Sequence, residues 1–159
     1  MKKEVSYADA WTRSREEIRK VIPLAEGLGV KIALENVGNF FLMSPLEAAR
    51  YVDEFQSPVV GWHFDVGNIV PTGWPEHWIR ILGKRIINLH IKEYSRKTDS
   101  EGRRRGSAVE LLEGDCDWPT VMKALDEVGY RGWMIAEVSG GDATRLKFLA
   151  ERMDRILAC

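Results

Sequence analysis

The sequence has few cysteines, no long apolar run and no excess of charge of either sign. Its two cysteines, Cys116 and Cys159, lie far apart in the 159 residues, a spacing that does not indicate a disulfide framework. No segment approaches the ~18 consecutive apolar residues of a membrane span, and the N-terminus lacks the apolar core of a secretion signal. We therefore expect a cytoplasmic protein with reduced thiols and no membrane partner.

Charge is nearly balanced, with 23 Lys and Arg against 24 Asp and Glu and a formal net charge of −1. Nucleic acids and anionic surfaces are bound through concentrated basic faces, so we expect no nucleic-acid partner. The local exception is Arg103-Arg104-Arg105, either a solvated charge run or a group that binds a substrate phosphate. A composition of 45% hydrophobic and 30% charged residues suits one globular domain over residues 1–159.

Short apolar runs alternate with amphipathic segments along the chain. The runs predict β-strands near 30–34, 59–64, 85–91 and 132–136, and helices begin at capping signals such as Ser44 followed by Glu47. Strands that are apolar on both faces and separated by helices indicate an α/β fold of parallel (β/α) units with four strands. A polar stretch from about 93 to 117 exceeds the usual connection and predicts a functional loop over the strand ends.

Each predicted strand ends on one polar residue: Glu35, Asp65, His90 or Glu137. The carboxyl ends of consecutive parallel strands lie on one side of a sheet, so we expect these residues at a common rim. Each has an ordinary explanation by itself, such as an Asx turn for Asp65 or a buried hydrogen bond for His90. Their equivalent positions favour a shared divalent-metal site, and this ligand set suits Mn²⁺, Mg²⁺ or Co²⁺, with Zn²⁺ also compatible.

The chemistry expected at such a site is proton transfer beside a carbonyl. A divalent cation can bind adjacent oxygens of a hydroxy-ketone and stabilise an enediolate while a carboxylate removes the neighbouring proton. Glu35 and Glu137, on the first and last of the four predicted strands, are the candidate catalytic pair. One would take the proton and the other would return it.

Further polar residues near the strand ends are candidates for binding the substrate: Asn36, His63, Asn68, Lys92 and Arg103. For the two asparagines the alternative is a role in orienting the metal ligands through hydrogen bonds. For His63 the alternative is a structural histidine, and for Arg103 it is an exposed charge on a loop.

Five motifs, in this order, carry a family resemblance: Ile32-Ala33-Leu34-Glu35-Asn36, His63-Phe64-Asp65-Val66-Gly67-Asn68, Leu89-His90-Ile91-Lys92-Glu93, Glu113-Gly114-Asp115-Cys116-Asp117-Trp118, and Gly129-Tyr130-Arg131-Gly132-Trp133 leading to Ala136-Glu137. With them the chain resembles the xylose-isomerase-like TIM-barrel superfamily, and within it the sugar phosphate isomerase/epimerase group, including hexulose- and xylulose-phosphate 3-epimerases. The resemblance implies that Glu35, Asp65, His90 and Glu137 bind a divalent metal and that the two glutamates are the acid and base. Asn68 stands where epimerases of free sugars often have a histidine, which favours a phosphorylated ketose as substrate.

The resemblance covers only the C-terminal half of the family barrel, so the expected fold is half of a (β/α)₈ barrel with unpaired edges. The half-length leaves three explanations open: a fragment, a truncated gene product, or two copies that pair. We predict a homo-oligomer that covers the open half-barrel. The leading functional hypothesis is a divalent-metal-dependent sugar or sugar-phosphate isomerase or epimerase. The alternatives are a non-catalytic half-barrel that keeps the metal ligands and a metal-dependent nuclease of the AP endonuclease type, which the balanced charge disfavours.

Overall fold

The computed structural model describes residues 3–106 and 109–159. In chain order the elements are α1 (Tyr7–Leu28), β1 (Ile32–Glu35), α2 (Pro45–Asp53), β2 (Val60–Asp65), α3 (Pro75–Leu82), a 3₁₀ turn (Gly83–Arg85), β3 (Ile86–Ile91), β4 (Ser95–Thr98), β5 (Arg104–Gly106), α4 (Trp118–Glu127), β6 (Met134–Ala136) and α5 (Ala143–Leu157). Among the described residues, no helix has the length and apolar character needed to cross a membrane.

The main sheet has four strands in the order β1-β2-β3-β6, and every neighbouring pair is parallel. The strand order follows the chain, and a helix lies between each pair of consecutive strands of this sheet, as the crossover between parallel neighbours requires. The predicted α/β class with four parallel strands is confirmed. Strands β1 and β6 form the two edges of the sheet.

The helices begin where the capping residues of the sequence predict. Ser6 accepts a hydrogen bond from the backbone N–H of Asp9 at the start of α1, and Ser44 accepts one from Glu47 at the start of α2. Gly29 ends α1 in the left-handed conformation, with φ of 66°, which a glycine adopts without strain. Such local hydrogen bonds fix the helix boundaries before any tertiary contact is considered.

The stretch near 93–117, predicted to be a loop, contains a two-stranded antiparallel hairpin made of β4 and β5. Its turn is held by Asp99, whose carboxylate accepts hydrogen bonds from the backbone N–H groups of Glu101 and Arg103. Gly102 supplies a positive φ of 76° in that turn. The hairpin escaped prediction because its strands are short and polar, without the apolar alternation that marks a half-buried strand.

The two faces of the sheet have different surroundings. Trp62 and Phe64 of β2 and Leu89 and Ile91 of β3 are fully buried in one cluster with residues of the surrounding helices. Alternation along a strand directs the intervening residues to the opposite, inner face of the sheet. There the strands carry polar side chains toward their carboxyl ends, and this inner face holds the candidate site.

Candidate metal centre

Strand register brings the four predicted ligands to one level of the sheet. Glu35 and Asp65 are the last residues of β1 and β2, His90 is the penultimate residue of β3, and Glu137 follows β6 directly. Asp65 is paired with His90 across β2 and β3, and Ile91 is paired with Ala136 across β3 and β6. The parallel arrangement therefore gathers residues that are distant in sequence.

His90 lies at the centre of the cluster. Its Nδ1 atom is 3.1 Å from a carboxylate oxygen of Glu35, 3.1 Å from one of Glu137 and 3.9 Å from Oδ2 of Asp65. One ligand atom from each of the four residues lies within 4.8 Å of the others. Three carboxylates and an imidazole at this separation can surround a single cation, since oxygen and nitrogen ligands lie about 2.0–2.2 Å from a divalent metal.

Asp65 is the ligand whose surroundings call most clearly for a cation. Its side chain is fully buried, and Oδ1 accepts a hydrogen bond from the backbone N–H of Asn68 at 2.8 Å. Among the described residues the buried Oδ2 atom has no hydrogen bond, and its contact with the Lys92 ammonium is a longer ion pair of 3.7 Å. Desolvation, followed by the adjacent Glu137 carboxylate, raises the pKa of Asp65 to about 7. A divalent cation would coordinate this oxygen directly and add to the positive charge of the nearby Lys92.

Lys92 contributes a fixed positive charge next to the cluster. Its ammonium group lies 3.1 Å from Glu137 and 3.7 Å from Oδ2 of Asp65. Burial acts to lower the pKa of Lys92, but the two carboxylates outweigh burial and the pKa is raised. The pKa of Glu137 is lowered, first by a hydrogen bond with the Asp65 carboxyl and then by Lys92. Glu137 is thus ionised more readily than Asp65.

The next level of the inner face holds His63 and Asn88, which are paired in register across β2 and β3. The rings of His63 and His90 meet edge to face, with centroids 3.9 Å apart, and Nδ1 of His63 lies 3.4 Å from the Asn88 amide nitrogen. Desolvation and the neighbouring His90 lower the pKa of His63. Within the described residues the buried Nε2 of His63 and Oδ1 of Asn88 have no hydrogen-bond partner. Asn88 was missed by sequence reasoning, although it precedes His90 by two residues and so faces the same way.

Asn36 and Asn68 tie the ends of β1 and β2 together. The buried Asn36 side chain accepts from the Asp65 N–H at 3.0 Å and from the Trp62 indole at 3.1 Å, and it donates to the Asp65 carbonyl at 2.7 Å. The Asn68 amide donates to the Asn36 carbonyl at 3.0 Å. Both asparagines therefore orient the backbone that presents Asp65, in line with the alternative role that the sequence left open for them.

A cavity of about 540 Å³ adjoins the cluster, with Lys92, Glu137, Ser139 and Arg145 among its lining residues. Arg145 donates to Glu110 at 2.8 Å and to the Ser139 carbonyl at 3.2 Å. The lining combines hydroxyl, carboxylate and cationic groups, and such a mixture suits a ligand rich in hydroxyls, which both donate and accept hydrogen bonds.

The xylose isomerase-like TIM-barrel sequence model matches residues 2–156 of this chain. The chain belongs to that family. An inosose dehydratase of Clostridium perfringens (strain 13 / Type A) is 25% identical over 148 residues, covering 85% of this chain and 49% of the dehydratase. The chain spans about half the length of the curated relatives it matches.

Solved structures share the barrel architecture. A xylose isomerase-like TIM-barrel protein from Mycobacterium smegmatis in complex with magnesium superposes with a TM-score of 0.76 and 24% identity, covering 99% of this chain and 53% of that protein. The 3-keto-D-glucoside 4-epimerase YcjR from E. coli superposes with a TM-score of 0.77 and 14% identity, covering 100% of this chain and 57% of the epimerase. At these identities the similarity establishes the fold, and the four strands correspond to a part of the family barrel.

Arg103 is the one predicted substrate residue that the structure does not bring to the cluster. Its side chain is exposed in the hairpin turn, where it pairs with Asp99 at 2.9 Å and Glu101 at 3.0 Å. The side chains of Arg104 and Arg105, the other members of the arginine triplet, lie outside the described part of the chain. The prediction that this triplet binds a phosphate stays a prediction.

Sequence reasoning also missed the role of Glu93, the residue that follows Lys92. Its buried carboxylate accepts hydrogen bonds from the backbone N–H groups of Tyr94, Leu112 and Cys116 and from the indole of Trp118. Gly114 packs so closely on this carboxylate that an added Cβ would overlap it. Glu93 thereby fastens the segment before α4 to the end of β3. The only sequence signal was an acidic residue that directly follows an apolar strand.

Proposed function

We propose that this chain carries the metal-binding half of a divalent-metal-dependent enzyme that acts on sugars or sugar phosphates and removes a proton from the carbon beside a carbonyl. The observation that carries the proposal is the convergence of Glu35, Asp65, His90 and Glu137 around a buried carboxylate oxygen that has no hydrogen bond among the described residues. Membership of the xylose isomerase-like family supports it, as do the sugar epimerases among the similar structures.

The same four residues would hold the cation, and oxygen-rich ligation favours Mn²⁺, Mg²⁺ or Co²⁺ over a metal that prefers thiolates. When bound, it would supply stabilisation of the negative charge that develops on the substrate oxygens. Asn36 and Asn68 fix the backbone on which Asp65 stands, so the ligand set is oriented before a substrate arrives.

Glu35 and Glu137 would serve as the acid and base. Glu35 ends β1 and Glu137 directly follows β6, strands that lie on either side of β3 in the sheet order, and each has a carboxylate oxygen 3.1 Å from His90 Nδ1. A hydroxy-ketone seated beside the cluster would therefore have a carboxylate on either side of its reacting carbon, one to remove a proton and one to return it. Lys92, which contacts Glu137, is placed to donate hydrogen bonds to substrate oxygens, whereas His63 packs edge to face against His90 and supports that ring.

The second candidate is a dehydratase, because the curated relatives at 24–28% identity include several inosose dehydratases. Dehydration of a polyhydroxy-ketone begins with the same proton removal and then expels a hydroxyl group from the neighbouring carbon. The two candidates share the residues proposed here and differ in the product. An isomer has the mass of its substrate, whereas a dehydration product is lighter by one water.

The test is proton exchange in heavy water. The chain is incubated with Mn²⁺ and one substrate at a time: a free ketose, a ketose phosphate or inosose. NMR follows the incorporation of deuterium at the carbon beside the carbonyl, and mass spectrometry gives the mass of the product. We expect exchange with the wild type, its loss in Glu35→Gln and Glu137→Gln, and normal exchange in Glu16→Gln, which alters an exposed helix residue. Metal binding without exchange in every substrate series would leave the non-catalytic half-barrel as the correct description.

A further inference from the structure

Helix α1 carries two apolar stripes. Ile18, Ile22 and Ala25 of α1 pack against the core at helical spacing. Val21, Leu24 and Leu28 form a second stripe, with exposed fractions of 47%, 63% and 67%. A surface helix needs one apolar face, so the second stripe marks a surface that another element can cover.

The last helix shows the same pattern. Leu149 and Ile156 of α5 are buried, while Leu146 and Leu157 lie on a different face and are 59% and 49% exposed. Beside α5, the β6 edge presents Trp133 at 81% exposure and Ile135 at 44%. By contrast, in the described parts of α3 and α4, Ile81 at 37% is the one large exposed apolar side chain. Two exposed stripes thus lie on the helices nearest the two open edges of the sheet.

The edge strands are compatible with each other. Strands β1 and β6 are both parallel to the rest of the sheet, and each pairs with one neighbour in the sheet order. A two-fold rotation would place β6 of one copy beside β1 of a second copy, with all strands still parallel. Repeating the contact on the other side leaves no edge and gives eight strands, the number that closes a barrel with a side-chain-filled interior.

We propose that two copies of this chain close such a barrel, with α1 and β1 of each copy packed against α5 and β6 of the other. The exposed apolar side chains on the two edges offer roughly 400–600 Å² per copy, taking ~100–150 Å² for a whole side chain. Strand backbone adds to this area, toward the ~800 Å² per partner of a stable interface. The closure also covers Glu35 and Glu137, which stand on the edge strands with side chains 33% and 43% exposed.

The test is the mass of the 159-residue chain in solution, measured by sedimentation velocity between 1 and 100 µM, with circular dichroism to confirm folding. We expect the wild type to sediment as a dimer with twice the chain mass. Leu24→Glu on one edge and Leu146→Glu on the other should each raise the dissociation constant of the dimer at least tenfold. Leu46→Glu is the matched control, because Leu46 is 70% exposed but belongs to α2, which connects β1 to β2 and is not part of either proposed edge; it should remain dimeric.

A folded wild-type monomer at 100 µM would overturn the proposal, and it is the result expected if a different half-barrel covers these edges. Dissociation caused by Leu46→Glu, with both edge variants unaffected, would place the interface elsewhere and overturn it as well. The measurement needs neither metal nor turnover, so its outcome is independent of the proposed catalytic function.

Discussion

Comparison of Asp65→Asn with the wild type measures how much an ionised carboxylate at position 65 lowers the free energy of unfolding when no metal is bound. The folded state holds the Asp65 proton up to a pKa of about 7, against an ordinary value of 3.8. Between these values the native chain keeps a proton that the unfolded chain has released. The free energy of unfolding therefore falls as the pH rises from about 4 to about 7, and Asp65 adds no further loss above that range.

The size of the effect follows from the same two values. A pKa difference of this size corresponds to roughly 4 kcal/mol if Asp65 titrates independently. The hydrogen bond with the Asp65 carboxyl also lowers the pKa of Glu137, which offsets part of this cost, and we expect on the order of 2–4 kcal/mol. The asparagine side chain carries no charge and has a similar shape, so Asp65→Asn should be more stable than the wild type at pH 8 and nearly equal to it at pH 4.

The assay is urea unfolding in EDTA at intervals from pH 4 to pH 8. Asp53→Asn serves as a control of opposite sign, because the hydrogen-bonded Arg85 lowers the pKa of Asp53. That variant should lose stability relative to the wild type above pH 4. Addition of Mn²⁺ at pH 8 to about 1,000 times its Kd should make the wild type the more stable of the two, since it gains about 4.1 kcal/mol, more than the advantage of about 2–4 kcal/mol expected for Asp65→Asn. An Asp65→Asn variant that is less stable than the metal-free wild type at pH 8 would contradict this account of the buried carboxylate.

Three further predictions concern single side chains. Glu93→Gln should lower the free energy of unfolding by about 2–4 kcal/mol, because an amide cannot accept all the hydrogen bonds that the Glu93 carboxylate accepts. As a control measured by the same urea unfolding, Glu113→Gln alters a half-exposed side chain and should lower the free energy of unfolding by less than about 1 kcal/mol. Gln56 is exposed and has a φ of 51°, a backbone conformation that glycine adopts more easily than other residues. Gln56→Gly should therefore raise the free energy of unfolding by up to about 1 kcal/mol, with a higher thermal midpoint, whereas Gln56→Ala should not. Arg103→Ala should change stability by less than about 1 kcal/mol and, if Arg103 binds phosphate, raise KM about tenfold for phosphorylated ketoses only; equal KM changes for free ketoses would exclude that role.

Local signals in the sequence were sufficient to predict the positions of the main helices and of the four parallel strands. Capping residues such as Ser6 and Ser44 set helix starts, and compact apolar runs set the four parallel strands, because both depend on residues within one turn or one strand. The hairpin of β4 and β5 was not predictable in this way, since its pairing depends on the Asp99 turn and on short polar strands.

The identity of the four clustered residues could be read from the sequence alone, because parallel topology sends the end of every strand to the same rim. Tertiary packing was needed to establish that Asp65 is buried with an oxygen that has no hydrogen bond to the described residues, that Lys92 touches Glu137, and that Arg103 pairs with its own hairpin. These features depend on register, burial and side-chain direction between strands far apart in the chain. No periodicity encodes them, since they arise where separate elements meet.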